Sequence, residues 1–155
     1  MKRIATLASL ALATVMLVGC PANQTQLQKA ATASEQAMVV VQGFQLGEIQ
    51  AYNQGKACAK AGSAGCVVIS DEDHLFVQQS VETVYRLDET TNTCIASAGT
   101  TAAAVTCANS AIATITQLQA DGATHLKSAS AKQDFSLAMI GAKTALNVIS
   151  TILGP

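Results

Sequence analysis

The chain has no tryptophan, and its only aromatic residues are Phe44, Tyr52, Phe76, Tyr85 and Phe135. Sheets draw on aromatic and β-branched side chains, so a chain poor in rings and rich in alanine favours helix over strand. A basic surplus is missing too. The formal net charge is −1, and without Lys2 and Arg3 it falls to −3, with seven basic side chains against ten acidic ones. That balance offers no positive footprint for nucleic acid and no basic patch for a membrane surface. Nor does the chain contain a phosphate loop, a dinucleotide fingerprint or a recognisable nucleophile motif.

What is there begins with a targeting pattern. Lys2 and Arg3 precede an apolar run from Ile4 to Val18, the form of an export signal, and fifteen residues are few for a bilayer span. The run closes on Leu17, Val18, Gly19 and Cys20. Those four residues resemble the lipobox of bacterial lipoprotein signal peptides. The resemblance covers residues 1–20. It implies cleavage before Cys20, a thioether-linked diacylglycerol on its sulfur, and acylation of the new amino terminus. Residues 1–19 would then be a cleaved signal, 20–24 a lipidated tether, and 25–155 the folded domain. Several acyl chains, at about 0.8 kcal/mol per buried methylene, anchor a protein firmly. Pro21 stands where inner-membrane lipoproteins of enterobacteria-like cells often carry aspartate. The same resemblance therefore favours the outer membrane, with the domain in the periplasm or at the cell surface.

Residues 20–155 suffice for one domain with one core, and their punctuation predicts four helices. Thr25 with Gln28 has the form of a capping box. Leu27, Ala30, Ala37, Met38, Val41, Phe44, Ile49 and Tyr52 recur near helical spacing up to Gly55, while Val39, Val40 and Leu46 fall off that stripe. Ser70 followed by Asp71, Glu72 and Asp73 marks a second start, where the macrodipole favours carboxylates. Its stripe runs through Val77, Val81, Val84, Leu87, Thr91, Cys94 and Ile95 to Gly99. Thr100 or Thr101 caps a third helix with Ala104, Ala108, Ile112, Ile115 and Leu118 inward, interrupted at Asp121 and Gly122. Ser130 with Gln133 suggests the fourth start, before Phe135, Ala138, Ala142, Leu146, Ile149 and Ile152. A membrane span over 137–153 is disfavoured by the polar face of Ser136, Lys143, Asn147 and Ser150. The fold class expected is all-α, an antiparallel up-down-up-down four-helix bundle, because short connections join antiparallel neighbours.

Beyond Cys20 stand Cys58, Cys66, Cys94 and Cys107, an even number suited to disulfides in an exported chain. The second helix would hold the two sets roughly 35 Å apart at 1.5 Å per residue, so Cys58–Cys66 and Cys94–Cys107 are the pairs that fit. Intervals of seven and twelve residues are not the short knuckles of zinc ribbons.

The acidic cluster Asp71, Glu72, Asp73 and His74 reads as a charged helix start rather than a metal or acid–base centre. His125, four residues after Asp121, reads as a surface histidine. Gly43 and Gly47 form a small-xxx-small pair suited to close helix contact. No metal, cofactor or catalytic residue is expected. The leading expectation is a lipid-anchored, non-catalytic interaction or structural module with an envelope protein partner. Its candidate interaction loop is Lys56, Lys60 and Ser63, in or beside the Cys58–Cys66 ring. The alternatives are a carrier of a small apolar ligand between Phe44, Tyr52, Phe76 and Phe135, and, by analogy alone, a phage-type lipoprotein that blocks an envelope receptor.

Overall fold

A helix starts where a side chain can take up its first unpaired N–H groups, and each start in this protein has such a residue. The computed structural model describes residues 25–153. The signal segment, lipobox and tether, the Gly154–Pro155 stop and the Leu27 side chain lie outside the described residues. Helix α1 spans Gln26–Lys60. Thr25 Oγ1 accepts from the Gln28 N–H and Gln28 Oε1 accepts from the Thr25 N–H, completing the box. Helix α2 spans Asp71–Ser97, with Ser70 Oγ accepting from the Asp73 N–H at 3.0 Å. Helix α3 spans Thr101–His125 and is capped by Thr100. Helix α4 spans Ala129–Leu153. Its cap is Ser128 rather than Ser130: the Ser128 hydroxyl and carbonyl accept from the Ala131 and Lys132 N–H groups. The Asp73 carboxylate already holds the Lys127 N–H, so Ser128 is the next residue in place to cap.

Partner numbers fall as the α1 number rises: Ser34 meets Asp88, and Tyr52 meets Asp71. Helices α1 and α2 are therefore antiparallel. The same test holds for α2 with α3, through Cys94–Cys107 and Phe76–His125, and for α1 with α4, through Val40–Gly141 and Phe44–Phe135. The chain goes up, down, up and down, each helix packing on its sequence neighbour and α4 closing the ring on α1. One core runs through all four, from Ala30, Val41, Val77 and Val84 to Ile115, Phe135, Met139 and Ile149. Val39 and Leu46 are exposed, in line with their place off the stripe. By length and composition α4 could cross a membrane, yet its apolar face is buried in this core. Its polar face is a helix seam in part, because Gln119 of α3 bonds both Ser136 and Lys143.

Two expected stops are not stops. Helix α1 runs through Gly55 and α3 runs through Asp121 and Gly122. A glycine ends a helix by taking a left-handed conformation, and these two instead supply room. A Cβ on Gly55 would lie 2.4 Å from the Val67 carbonyl oxygen, and one on Gly122 would lie 2.4 Å from Phe135 Cδ1. Positive φ occurs at Gly62 (69°) and Gly65 (78°), in the α1–α2 connection. Gly43 and Gly47, by contrast, touch no second helix, and a Cβ there would meet nothing within 4 Å. Overpacking a filled core costs roughly 1–3 kcal/mol, so Gly122→Ala should lower the unfolding free energy by that amount, read as a lower denaturation midpoint. A midpoint unchanged within error would mean that Phe135 moves aside freely.

One acidic group is set into the α1–α2 seam. Asp88 Oδ1 accepts from Ser34 Oγ and its Oδ2 from Asn92 Nδ2, while the Asn92 Oδ1 is buried with no partner among the described residues. Burial pushes the Asp88 carboxyl above its ordinary value, the Ser34 hydroxyl pulls it partly back, and Glu35 adds to the rise. The folded state therefore holds this proton more tightly than the unfolded chain does. Stability from this group falls as pH rises from the ordinary aspartate value through the raised one, and is level above. Asp88→Asn should abolish that fall. Melting temperatures of both proteins across the acid range would show it, and parallel curves would refute it.

A candidate interaction surface at the stapled tip

Helix α1 is 35 residues long, about 52 Å at 1.5 Å per residue. Its last turn carries the chain into the connection 61–70, where Cys58 and Cys66 are disulfide-bonded with Cα atoms 5.8 Å apart. Inside the ring the Ser63 N–H donates to the Cys58 carbonyl at 3.3 Å. Val67 and Val68 follow, 73% and 49% exposed. The candidate loop residues are thus divided. Ser63 lies in the turn, whereas Lys56 and Lys60 belong to the end of α1, which continues past Gly55. Lys56 is also committed: its ammonium pairs with Asp71 and lies 4.9 Å from the centre of the Tyr52 ring.

The cluster at the start of α2 divides between two neighbours. Asp71 takes Lys56 and the Tyr52 hydroxyl. Glu72 takes the Lys127 ammonium. Asp73, 2% exposed, accepts from the Lys127 backbone N–H with both oxygens, at 3.2 and 3.3 Å. His74 turns back to α1, stacked on Tyr52 at 3.9 Å with Nδ1 at 2.9 Å from Glu48. Among the described residues, no three acidic, histidine or cysteine side chains converge as a metal site. What the cluster does is fasten: it ties the tip of α2 to α1 and to the α3–α4 connection. Lys56, then the Tyr52 hydroxyl, hold the Asp71 carboxyl below its usual range, and Lys127 does the same for Glu72. Both pairs are intact at neutral pH, and on the acid side they are lost as pH falls through those lowered values.

No family model, curated protein or solved structure matches this chain.

Its tip is therefore read from its own residues, and the part sequence reasoning missed is Glu48. Only 8% exposed, Glu48 accepts from Gln78 Nε2 and meets His74; Gln78 in turn accepts from Gln45, and Gln45 accepts from the Tyr85 hydroxyl. This polar ladder climbs the α1–α2 seam to the tip and satisfies a carboxylate that burial would otherwise penalise. A signal for it existed. Val41, Phe44, Glu48 and Tyr52 are spaced three and four apart, which puts the carboxylate on the inward stripe.

His125 lies on the far side of the same end, stacked on Phe76 at 5.1 Å, its Nδ1 3.0 Å from the Asp121 carbonyl. The Asp121 carboxylate takes Gln117 instead. Phe44 and Phe76 each pack on Phe135, with ring centres 5.9 and 5.7 Å from it, and fill the space between helices. A cavity of about 10 Å³ remains deeper in the bundle, between Met38, Val84, Asp88 and Ile115. Outside, an open depression of about 630 Å³ follows the α3–α4 seam past Thr116, Ala123 and Lys132.

Proposed function

We propose that this protein is a lipid-anchored bacterial envelope lipoprotein, held through Cys20 to the outer membrane, whose domain acts as a non-catalytic interaction module for another envelope protein. The disulfide-stapled tip, with Lys60, Ser63 and the exposed Val67 and Val68, is the recognition surface. The observation that carries this reading is the position of the ring. Helix α1 is capped by Thr25, five positions after Cys20, and ends at Cys58–Cys66, so a lipid on Cys20 would place the ring at the far end of the bundle. Support comes also from chemistry that positions rather than reacts. Every charged group at the start of α2 is spent on holding the tip to the rest of the bundle, and a rigid exposed loop binds with less ordering cost than a mobile one.

Crosslinking in the native envelope tests it. A photoreactive residue at Ser63 or Val67 should capture one partner that the same residue at Asn109, on exposed α3, does not. Lys60→Ala with Ser63→Ala should lose that partner while the helical signal is kept. Recovery of the same proteins by the double variant would remove the recognition role. Cys20→Ala should leave the membrane fraction, and a protein that stays there would count against the anchor.

A further inference from the structure

Charge is unevenly distributed along the bundle. From Thr90 to Ala120, the last two turns of α2 and most of α3, no side chain is charged. None is charged from Thr144 to Leu153 in α4. In α1, Lys29 is the single charged residue before Glu35. The antiparallel order brings these segments together: α1 and α3 start, and α2 and α4 finish, at the same end, where Cys94–Cys107 joins α2 to α3. Lys29 is thus the one charge at that end among the described residues, whereas the opposite end carries Lys56, Asp71, Glu72, Asp73 and Lys127. Besides the amides of Gln26, Gln28 and Asn147, the uncharged end exposes mainly short or hydroxylated side chains, among them Ala96, Ser97, Thr100, Ala102 and Thr106.

We infer that this uncharged end is a docking surface for lipid headgroups, against which the domain sits directly. The inference rests on the lipidation of Cys20 proposed above. Four residues separate Cys20 from Thr25, and the five steps between them, fully extended, reach about 18 Å, so the start of α1 stays close to the bilayer. A carboxylate held within a Debye length of an anionic leaflet, about 8 Å at physiological salt, is repelled. A charge of either sign pressed among headgroups loses water. An end with one lysine avoids nearly all of both costs, its small side chains let the backbone come near, and its threonine and serine hydroxyls can donate to phosphate and ester oxygens. The same partition leaves the charged tip in water, about 50 Å up the bundle.

The lack of tryptophan in the native chain supplies the probe. Lipidated A102W and S63W proteins are placed in vesicles of phosphatidylethanolamine and phosphatidylglycerol that contain a headgroup-nitroxide lipid. The A102W fluorescence should be largely quenched and the S63W fluorescence retained. A96W is a second reporter at the uncharged end should A102W fail to fold. Adding Thr101→Glu and Thr106→Glu to A102W should restore most of the fluorescence in these vesicles and little of it in phosphatidylcholine alone. Mass spectrometry of each sample reads the lipid on Cys20 separately. Protein that carries lipid yet shows no quenching at positions 96 and 102, or quenching equal to that at 63, overturns the docking surface and leaves the lipoprotein reading standing. Quenching untouched by the two glutamates overturns the charge argument. Absence of lipid on Cys20 removes both.

Discussion

Reducing both disulfides is expected to unfold a large part of the population under conditions where the oxidised protein is folded. Cys58–Cys66 and Cys94–Cys107 close loops with sequence separations of 8 and 13, which in the chain-entropy estimate are worth about 2.6 and 3 kcal/mol. Single domains are stable by only about 5–15 kcal/mol, so losing both removes a large fraction. The core makes the loss harder to bear. Ala30, Ala33, Ala37, Ala104, Ala108, Ala111, Ala138, Ala142 and Ala145 are all buried, and each withdraws less apolar surface from water than a leucine would. Unfolding by urea with and without reductant measures the total, and the Cys58→Ala/Cys66→Ala and Cys94→Ala/Cys107→Ala pairs measure each part. The second pair should cost more, because Cys107 is a buried member of the α2–α3 contact whereas Cys66 is only half-buried at the tip. A combined loss under 1 kcal/mol would show that the helices hold without their staples.

The same two bridges show how far local sequence reaches. Their pairing followed from a length argument, since a helix between the two sets keeps them apart, and the pairing is the one observed. The caps at Thr25, Ser70 and Thr100 were legible for a related reason: a cap is a contract between residues three apart. Errors came where a residue's role is decided by something distant in the chain. Gly55 and Gly122 looked like terminators but are spacers, because Val67 and Phe135 press on them from other elements. Ser128 replaces Ser130 as a cap because Asp73, 54 residues away, fixes the Lys127 N–H. The Glu48 ladder has partners 26 and 30 residues off, and pairing rules along one helix cannot find them. At the tip, the location of the ring was legible and the commitment of Lys56 was not, since its partner Asp71 opens the next helix.

The largest single-residue effect is expected at Phe135. Its ring, 1% exposed, sits where α4 meets all three other helices near the tip: edge-on to Phe44 at 5.9 Å, tilted against Phe76 at 5.7 Å, and over Gly122. Phe135→Ala should cost about 3–5 kcal/mol, the transfer free energy of the ring plus the cavity it leaves. Neighbours cannot readily collapse into that cavity. Phe76 is already stacked on His125, and Gly122 has no side chain to extend. That rigidity makes a sharper test than the single variant. If the ring is what forbids a methyl at Gly122, then Gly122→Ala should be close to neutral, or stabilising, in the Phe135→Ala background. The double-mutant cycle should return a coupling of roughly 1–3 kcal/mol, as contacting residues do. Additive losses would instead mean that Gly122 is needed for its backbone, and that the close approach of α3 to α4 does not depend on the ring between them. With coupling, one aromatic ring and one glycine set the spacing of α3 and α4 beneath the tip. The Lys127 connection, through which Glu72 and Asp73 hold α2, would inherit its position from that pair.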